Sequence, residues 1–269
     1  MMYRFLLALI FLGVMQAAHA RGMQAETTTG KVVMVSMSTN STPAYKTLED
    51  QAADEAAWLI ATWEHRPLLE SDVDYVNGYF PSRDPAAWAA ECDRLGNCKE
   101  GVVIGFGYSL PAHTPAEILR DLTPIVGEAR ARKMLPCQPY RGMEAYRRCH
   151  NSAELALTRD ESLQLLRATR VVRDVAAVQA LAQQKGIALG LNQLVALTSL
   201  HYTSPALVLN ATKLWQAIEA GSSLDVWYEI ARNSGSRRMP KLQPRRDAEA
   251  ALFLQGWPPS QAATRVAVN

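Results

Sequence analysis

From Thr114 onward the chain repeats apolar residues at spacings of three and four, with helix-starting and helix-stopping residues at the ends of the runs, so most of it has to fold as helices packed on one another. Thr114-Pro115 with Glu117 is a capping box, and Thr158 with Glu161 is a second. The longest run, about Arg159 to Lys185, places Leu163, Leu166, Val172, Val175, Val178 and Ala182 on one stripe and is closed by Gly186. Asn210 precedes a helix over Ala211 to Ala220, which stops at Gly221. Leu191 to Tyr202 is apolar nearly all round and predicts a buried helix, whereas Leu224 to Arg232 and Arg245 to Leu254 predict amphipathic ones.

Ahead of this region the pattern changes. Thr47 with Asp50 opens a helix from about Leu48 to Glu64, in which Leu48, Ala52, Ala56, Leu59 and Trp63 recur at helical spacing. Val73 to Phe80 and Val102 to Tyr108 are β-branched, aromatic or glycine and predict short extended segments of a small sheet. Asp84-Pro85 opens a further helix through Trp88 to Leu95, with Gly96 as its stop. The expected fold class is α+β, mostly helical, with a small sheet inserted early.

Residues 1–20 carry Arg4, an apolar run from Phe5 to Met15, and Ala18-His19-Ala20, the pattern of a signal peptide cut before Arg21. An uncleaved anchor is the competing interpretation, but a spanning helix needs about 20 apolar residues and this run is shorter. The expected location is therefore the periplasm or beyond, with no stable membrane insertion after cleavage. Residues 21–46 are rich in Thr, Ser and Gly and read as a flexible leader. Loss of Arg4 leaves 27 basic against 26 acidic groups, a balance that argues against nucleic acid as a partner. The four cysteines follow the signal into an oxidising space, where nearest-neighbour pairing joins Cys92 to Cys98 and Cys137 to Cys149; four cysteines allow three connectivities. Their spacing does not suit zinc, and neither a metal nor an organic cofactor is expected. Nothing in the sequence suggests an oligomer, so a monomer is expected.

Glu64 stands between Trp63 and His65 at the end of a helix. Shelter against an indole would raise its pKa, the condition for a carboxylic acid that must donate a proton near neutral pH. The segment from Glu100 to Leu110 alternates glycines with aromatic and β-branched residues. No Lys-Ser or Lys-Thr follows it, which excludes a phosphate cradle, and glycines in such a strand suggest close approach by a ligand or another strand.

Taken in order, Trp63-Glu64-His65, the glycine-aromatic strand, Asp121 to Gly127, Ala196 to Tyr202 and Arg245 to Ala250 resemble a pesticin-type muramidase, a family similar to the phage-type lysozymes. The resemblance covers roughly Leu48 to Gln255. It implies a sheet lobe and a helical lobe with a glycan cleft between them, over a lysozyme-like domain at 47–256 followed by a tail at 257–269. It further implies peptidoglycan as the partner and Glu64 as the general acid at the bond between N-acetylmuramic acid and N-acetylglucosamine. Gly105, Gly107, Tyr108, Tyr202 and Arg246 are the expected substrate-binding residues.

The sequence departs from the family where the second half of the chemistry should lie. The family's Thr-x-Gly-x-Gly-x-Asp strand carries Val103 and Ser109 here, and the position after the aromatic in the later helix, often asparagine, is Thr203. An inverting glycosidase needs a second carboxylate roughly 6.5–9.5 Å from the acid. Glu100 is the first candidate because it begins the same strand; Asp72, Asp74, Asp84 and Asp93 are others, and Ser109 could orient a water. Three readings follow: hydrolysis with a substitute group, lytic transglycosylation needing one glutamate, or glycan binding without cleavage. The cluster Arg232, Arg237, Arg238, Lys241, Arg245 and Arg246 is either a solvated surface or a face for the anionic groups of peptidoglycan, with Arg246 the expected contact. Trp215, Trp227 and Tyr228 could stack on sugars, although aromatics at helical spacing are usually core.

Overall fold

The computed structural model describes residues 47–64, 100–234 and 240–257, with the backbone at 75–76 and single positions 86, 90, 91 and 94. The expected signal peptide and leader, Cys92 with Cys98, and Asp72, Asp74, Asp84 and Asp93 lie outside the described residues. The described residues are mostly helical, with a small antiparallel sheet component. No helix among them is long and apolar enough to cross a membrane.

Helix α1 spans Leu48–Glu64, and its buried face is almost entirely alanine: Ala52, Ala53, Ala56, Ala57 and Ala61, with Ile60. Small side chains let neighbouring helices approach closely. Strand β1 (Tyr75–Val76) pairs antiparallel with β4 (Leu157–Thr158), a partner the sequence did not announce. Strands β2 (Val103–Ile104) and β3 (Tyr108–Ser109) form a hairpin in which Val103 faces Ser109 and Ile104 faces Tyr108. Helices α2 (Pro115–Val126), α3 (Glu128–Met134) and α4 (Gly142–Cys149) follow. Then come α5 (Arg159–Leu166), α6 (Val172–Gln184), α7 (Leu191–Thr203), α8 (Ala206–Leu209), α9 (Thr212–Glu219), α10 (Ser223–Tyr228) and α11 (Gln243–Leu254).

Both capping boxes form as expected, Thr114 with Glu117 and Thr158 with Glu161. Asn210 does not open α9; it ends the short α8, donating its backbone N–H to the Ala206 carbonyl. The long helix expected over Arg159 to Lys185 is divided by a wide turn at Arg167–Val171 with π-type bonding. Such a turn takes up one extra residue and shifts the apolar stripe. The buried residue after Leu166 is consequently Val171, fully buried, while Val172, expected on the stripe, is 43% exposed.

Two hydrophobic cores result. The smaller is built from the β2–β3 hairpin and α2 to α5, with Ile104, Leu110, Ile118, Leu122, Met134 and Leu157 at its centre. The larger joins α1 to α6, α7 and α9 to α11. Helix α7 is its hub, packed against α1, α6 and α11.

The disulfide Cys137–Cys149 forms and closes a loop around α4. That loop grips the hairpin: Gly142 N donates to the Glu100 carbonyl at 3.0 Å, and Arg141 Nη2 donates to the Pro111 carbonyl at 2.8 Å. Replacing both cysteines by serine is expected to cost about 3 kcal/mol through the freedom returned to the unfolded chain, seen as a lower urea midpoint. The Glu117 carboxyl sits below its ordinary range because the backbone N–H and hydroxyl of Thr114 donate to it. Its contribution is present above the unfolded carboxylate range, about pH 4.3, and is lost as pH falls through the lower folded value. The melting-temperature gap between wild type and Thr114→Ala should therefore shrink on acidification.

Candidate functional site

Helix α1 ends on a glutamate, where the helix dipole offers partial negative charge and the last turn supplies no basic residue. A carboxylate placed there needs a cation from elsewhere in the chain. Arg245 of α11 provides it, donating from Nη1 to Glu64 Oε1 at 2.8 Å. The pairing is asymmetric, since the Arg245 side chain is 5% exposed and that of Glu64 38%. The group that meets Glu64 is thus a buried guanidinium, rather than the indole expected from its neighbour Trp63.

Arg245 is held by more than Glu64. Its Nε donates to Glu249 Oε1 at 3.0 Å, and its Nη2 reaches both the carbonyl and the hydroxyl of Ser199, each at 3.2 Å. Ser199 Oγ donates to the same Glu249 oxygen at 2.6 Å. The other Glu249 oxygen accepts from Arg246 Nη1. Glu249 and Arg246 are both fully buried. A buried ion pair is stabilising only where its members satisfy one another, and Glu249 is shared between two cations and a hydroxyl.

The aromatic ring of Tyr202, on α7, extends the cluster. The Arg245 guanidinium lies 5.9 Å from the ring centroid and that of Arg170 5.5 Å. Arg170 also pairs with the buried Asp174 at 2.9 Å, and His201 Nδ1 lies 3.2 Å from the other oxygen of Asp174. From the far end of Tyr202 the hydroxyl donates to the Phe106 carbonyl at 3.4 Å, in the turn between Gly105 and Gly107. Both glycines have positive φ, 54° and 100°. A Cβ on Gly107 would sit 3.1 Å from the Tyr202 hydroxyl, and one on Gly105 3.3 Å from Ser162 Cβ, so the close approach expected of these glycines is made by the protein's own side chains.

Several expected site residues lie elsewhere. Tyr108 is 6% exposed, stacks on His113 at 4.2 Å and donates its hydroxyl to Asp121 at 3.0 Å. Burial, followed by the Asp121 charge, holds its phenol far above the ordinary range. It is a small-core residue with almost no surface to offer a sugar. Arg246 has none, which corrects the expectation that it faces peptidoglycan: on α11 it shares the phase of Ala250 and Phe253 and points inward. Thr203 donates its hydroxyl back to the Ser199 carbonyl of its own helix. Ser109 is partly buried opposite Val103, and Glu100 is exposed.

Of the arginine cluster, Arg232 lies over Trp227 at 5.1 Å, Lys241 is exposed, and Arg237 and Arg238 fall outside the described residues. Trp215 is buried and Tyr228 is 42% exposed. A groove of about 330 Å³ opens between α8, α9 and the turn after α10, lined by Leu207, Asn210, Lys213, Glu229 and Asn233, and none of the residues around Glu64 lines it. Among the described residues no group of three or more His, Cys, Asp or Glu side chains could hold a metal ion. The chain matches no protein-family model and none of the curated proteins with which it was compared.

Sequence reasoning missed Ser199, Arg245 and Glu249 as a unit. The available signal was charge at a buried helical phase: Arg245, Glu249 and Leu252 follow the same spacing as Arg246, Ala250 and Phe253. Arg245→Met should destabilise the fold by about 3–5 kcal/mol, because it strips partners from a buried carboxylate. A conservative surface control, Arg132→Met, should change the urea midpoint little, since its partner Glu128 is exposed.

Proposed function

We propose that the chain is an exported, peptidoglycan-active muramidase of lysozyme-like fold, in which Glu64 protonates the glycosidic oxygen between N-acetylmuramic acid and N-acetylglucosamine. The observation that carries this reading is the ion pair between Glu64 and Arg245, residues separated by 181 positions, within one contact chain that also includes Ser199, Tyr202 and the glycine turn. Those are the segments through which the sequence resembles the muramidases. Arg245 occupies only Oε1 of the carboxylate, and more than a third of the Glu64 side chain remains open to a ligand.

In this mechanism the proton leaves Glu64 for the bridging oxygen as the bond from that oxygen to C1 of the muramic acid breaks. Arg245 then faces the carboxylate left behind, a charge-assisted contact worth more in a part-buried site than in water. Hydrolysis completes the reaction when water adds to C1 and gives up a proton, which restores the Glu64 carboxyl, with Ser109 the hydroxyl available on the hairpin to orient that water. A second reading is favoured by one observation: Val103 and Ser109, the positions where relatives carry threonine and aspartate, face each other across the hairpin and bring no carboxylate. In that case the 6-hydroxyl of the muramic acid attacks C1, forms the 1,6-anhydro sugar and returns its proton to Glu64.

Isolated sacculi incubated with the purified protein should release muropeptides, and Glu64→Gln should release none above background. Products with reducing ends mark hydrolysis, whereas products lighter by one water mark transglycosylation. Binding of both proteins to sacculi without release from either would overturn the enzymatic reading.

A further inference from the structure

A general acid has to hold a proton until the substrate arrives, yet Glu64 is bonded to a cation at 2.8 Å, which attracts the deprotonated form. How strongly it attracts depends on what else Arg245 is bonded to. Its fork is rigid, so an anion on Nε both fixes the direction of Nη1 and offsets part of its charge. Glu249 is that anion. It is fully buried, it touches Arg245 at 3.0 Å, and it divides its own charge with Arg246. The site is a relay of alternating sign, Glu64, Arg245, Glu249 and Arg246, of which the outermost member alone has substantial exposure.

Resting on the muramidase reading, we infer that Glu249 is a positioning residue of the site: it aims Arg245 at Glu64, and its charge sets how firmly Arg245 holds the Glu64 carboxylate. Arg246 acts one step further out and with opposite sign, because it draws on Glu249. Among the described residues, the other charged groups around the cluster are Arg170 from the wide turn before α6, Asp174 from α6 and His201 from α7, which pair with one another and are common to every variant below. From α1 the nearest contribution is Glu64 itself; Asp50 and Asp54 of that helix are bound to Arg167.

The relay makes predictions of opposite sign for two substitutions. Glu249→Gln keeps the shape and an acceptor oxygen but leaves Arg245 uncompensated. The Glu64 carboxyl, followed by carbon-detected NMR titration of the full chain, should then give up its proton more readily than in wild type. Arg246→Met leaves Glu249 more wholly to Arg245 and should move the Glu64 midpoint upward. Release of muropeptides from sacculi should follow. On the alkaline limb, where the acid must still hold its proton, kcat for Glu249→Gln should fall by at least about twofold at a given pH, because a smaller fraction of Glu64 is protonated. KM should stay within about twofold, because neither residue has surface for substrate. Glu249→Asp, which retains the charge, should restore the wild-type limb.

A folded Glu249→Gln protein with an unmoved Glu64 midpoint overturns the inference. So does a shift of the same sign for Glu249→Gln and Arg246→Met, which repacking alone would produce. If Glu249→Gln does not fold, the upward shift in Arg246→Met decides the matter. A wild-type protein that releases no muropeptides at any pH removes the muramidase reading, while the titrations still decide whether the relay exists.

Discussion

Two guanidinium groups and one carboxylate are buried together on a single helix, and pairing their charges dictates how that helix is packed. Arg245, Arg246 and Glu249 would each be costly inside a protein without the others. Their geometry closes only if α11 lies close enough to α7 for Ser199 to bridge Arg245 and Glu249, and if the last turn of α1 brings an anion to Nη1. Three helices distant in sequence are thereby fixed by polar contacts at one end of a largely apolar core. Elsewhere along the same helices alanine and leucine fill most of the space, with Gln193 of α7 donating to the Phe253 carbonyl of α11 at 2.8 Å. The charged end supplies direction.

The rest of the site borrows its order from that end. Tyr202 lies beside two arginines and reaches the glycine turn with its hydroxyl, so the position of the hairpin relative to α7 is set by an aromatic side chain of fixed length. The hairpin turn inserts Phe106 into the larger core, although its flanking strands belong to the smaller one. The disulfide-closed loop holds the opposite end of the hairpin through Glu100 and Pro111. The two-residue strands are thus secured by their surroundings more than by their own ladder.

Local signals survived translation into structure where local chemistry decides the outcome. The bounds of α1, both capping boxes and the pairing of Cys137 with Cys149 were legible because each depends on neighbours within a dozen residues. The wide turn at Arg167–Val171 was not legible, since a periodic pattern of spacing three and four can absorb one extra residue without an obvious break. The pairing of Leu157–Thr158 with Tyr75–Val76 was invisible for a different reason: two residues are too few to display alternation. At the site, sequence pointed to Glu64 and to a pair of adjacent arginines but assigned the outward role to Arg246. Adjacent helical residues point about 100° apart, and here both directions are buried, Arg246 in phase with Ala250 and Phe253 and Arg245 in phase with Glu249 and Leu252, so neither arginine takes the outward role.

Helix α5 carries a consequence of its own. Leu165 belongs to the smaller core and its neighbour Leu166 to the larger, so one rod is wedged into both hydrophobic interiors. Neither interior can melt without stripping cover from a rod the other needs. Although each core has its own apolar centre, the pair is bound to a common fate, like two rooms raised on one beam.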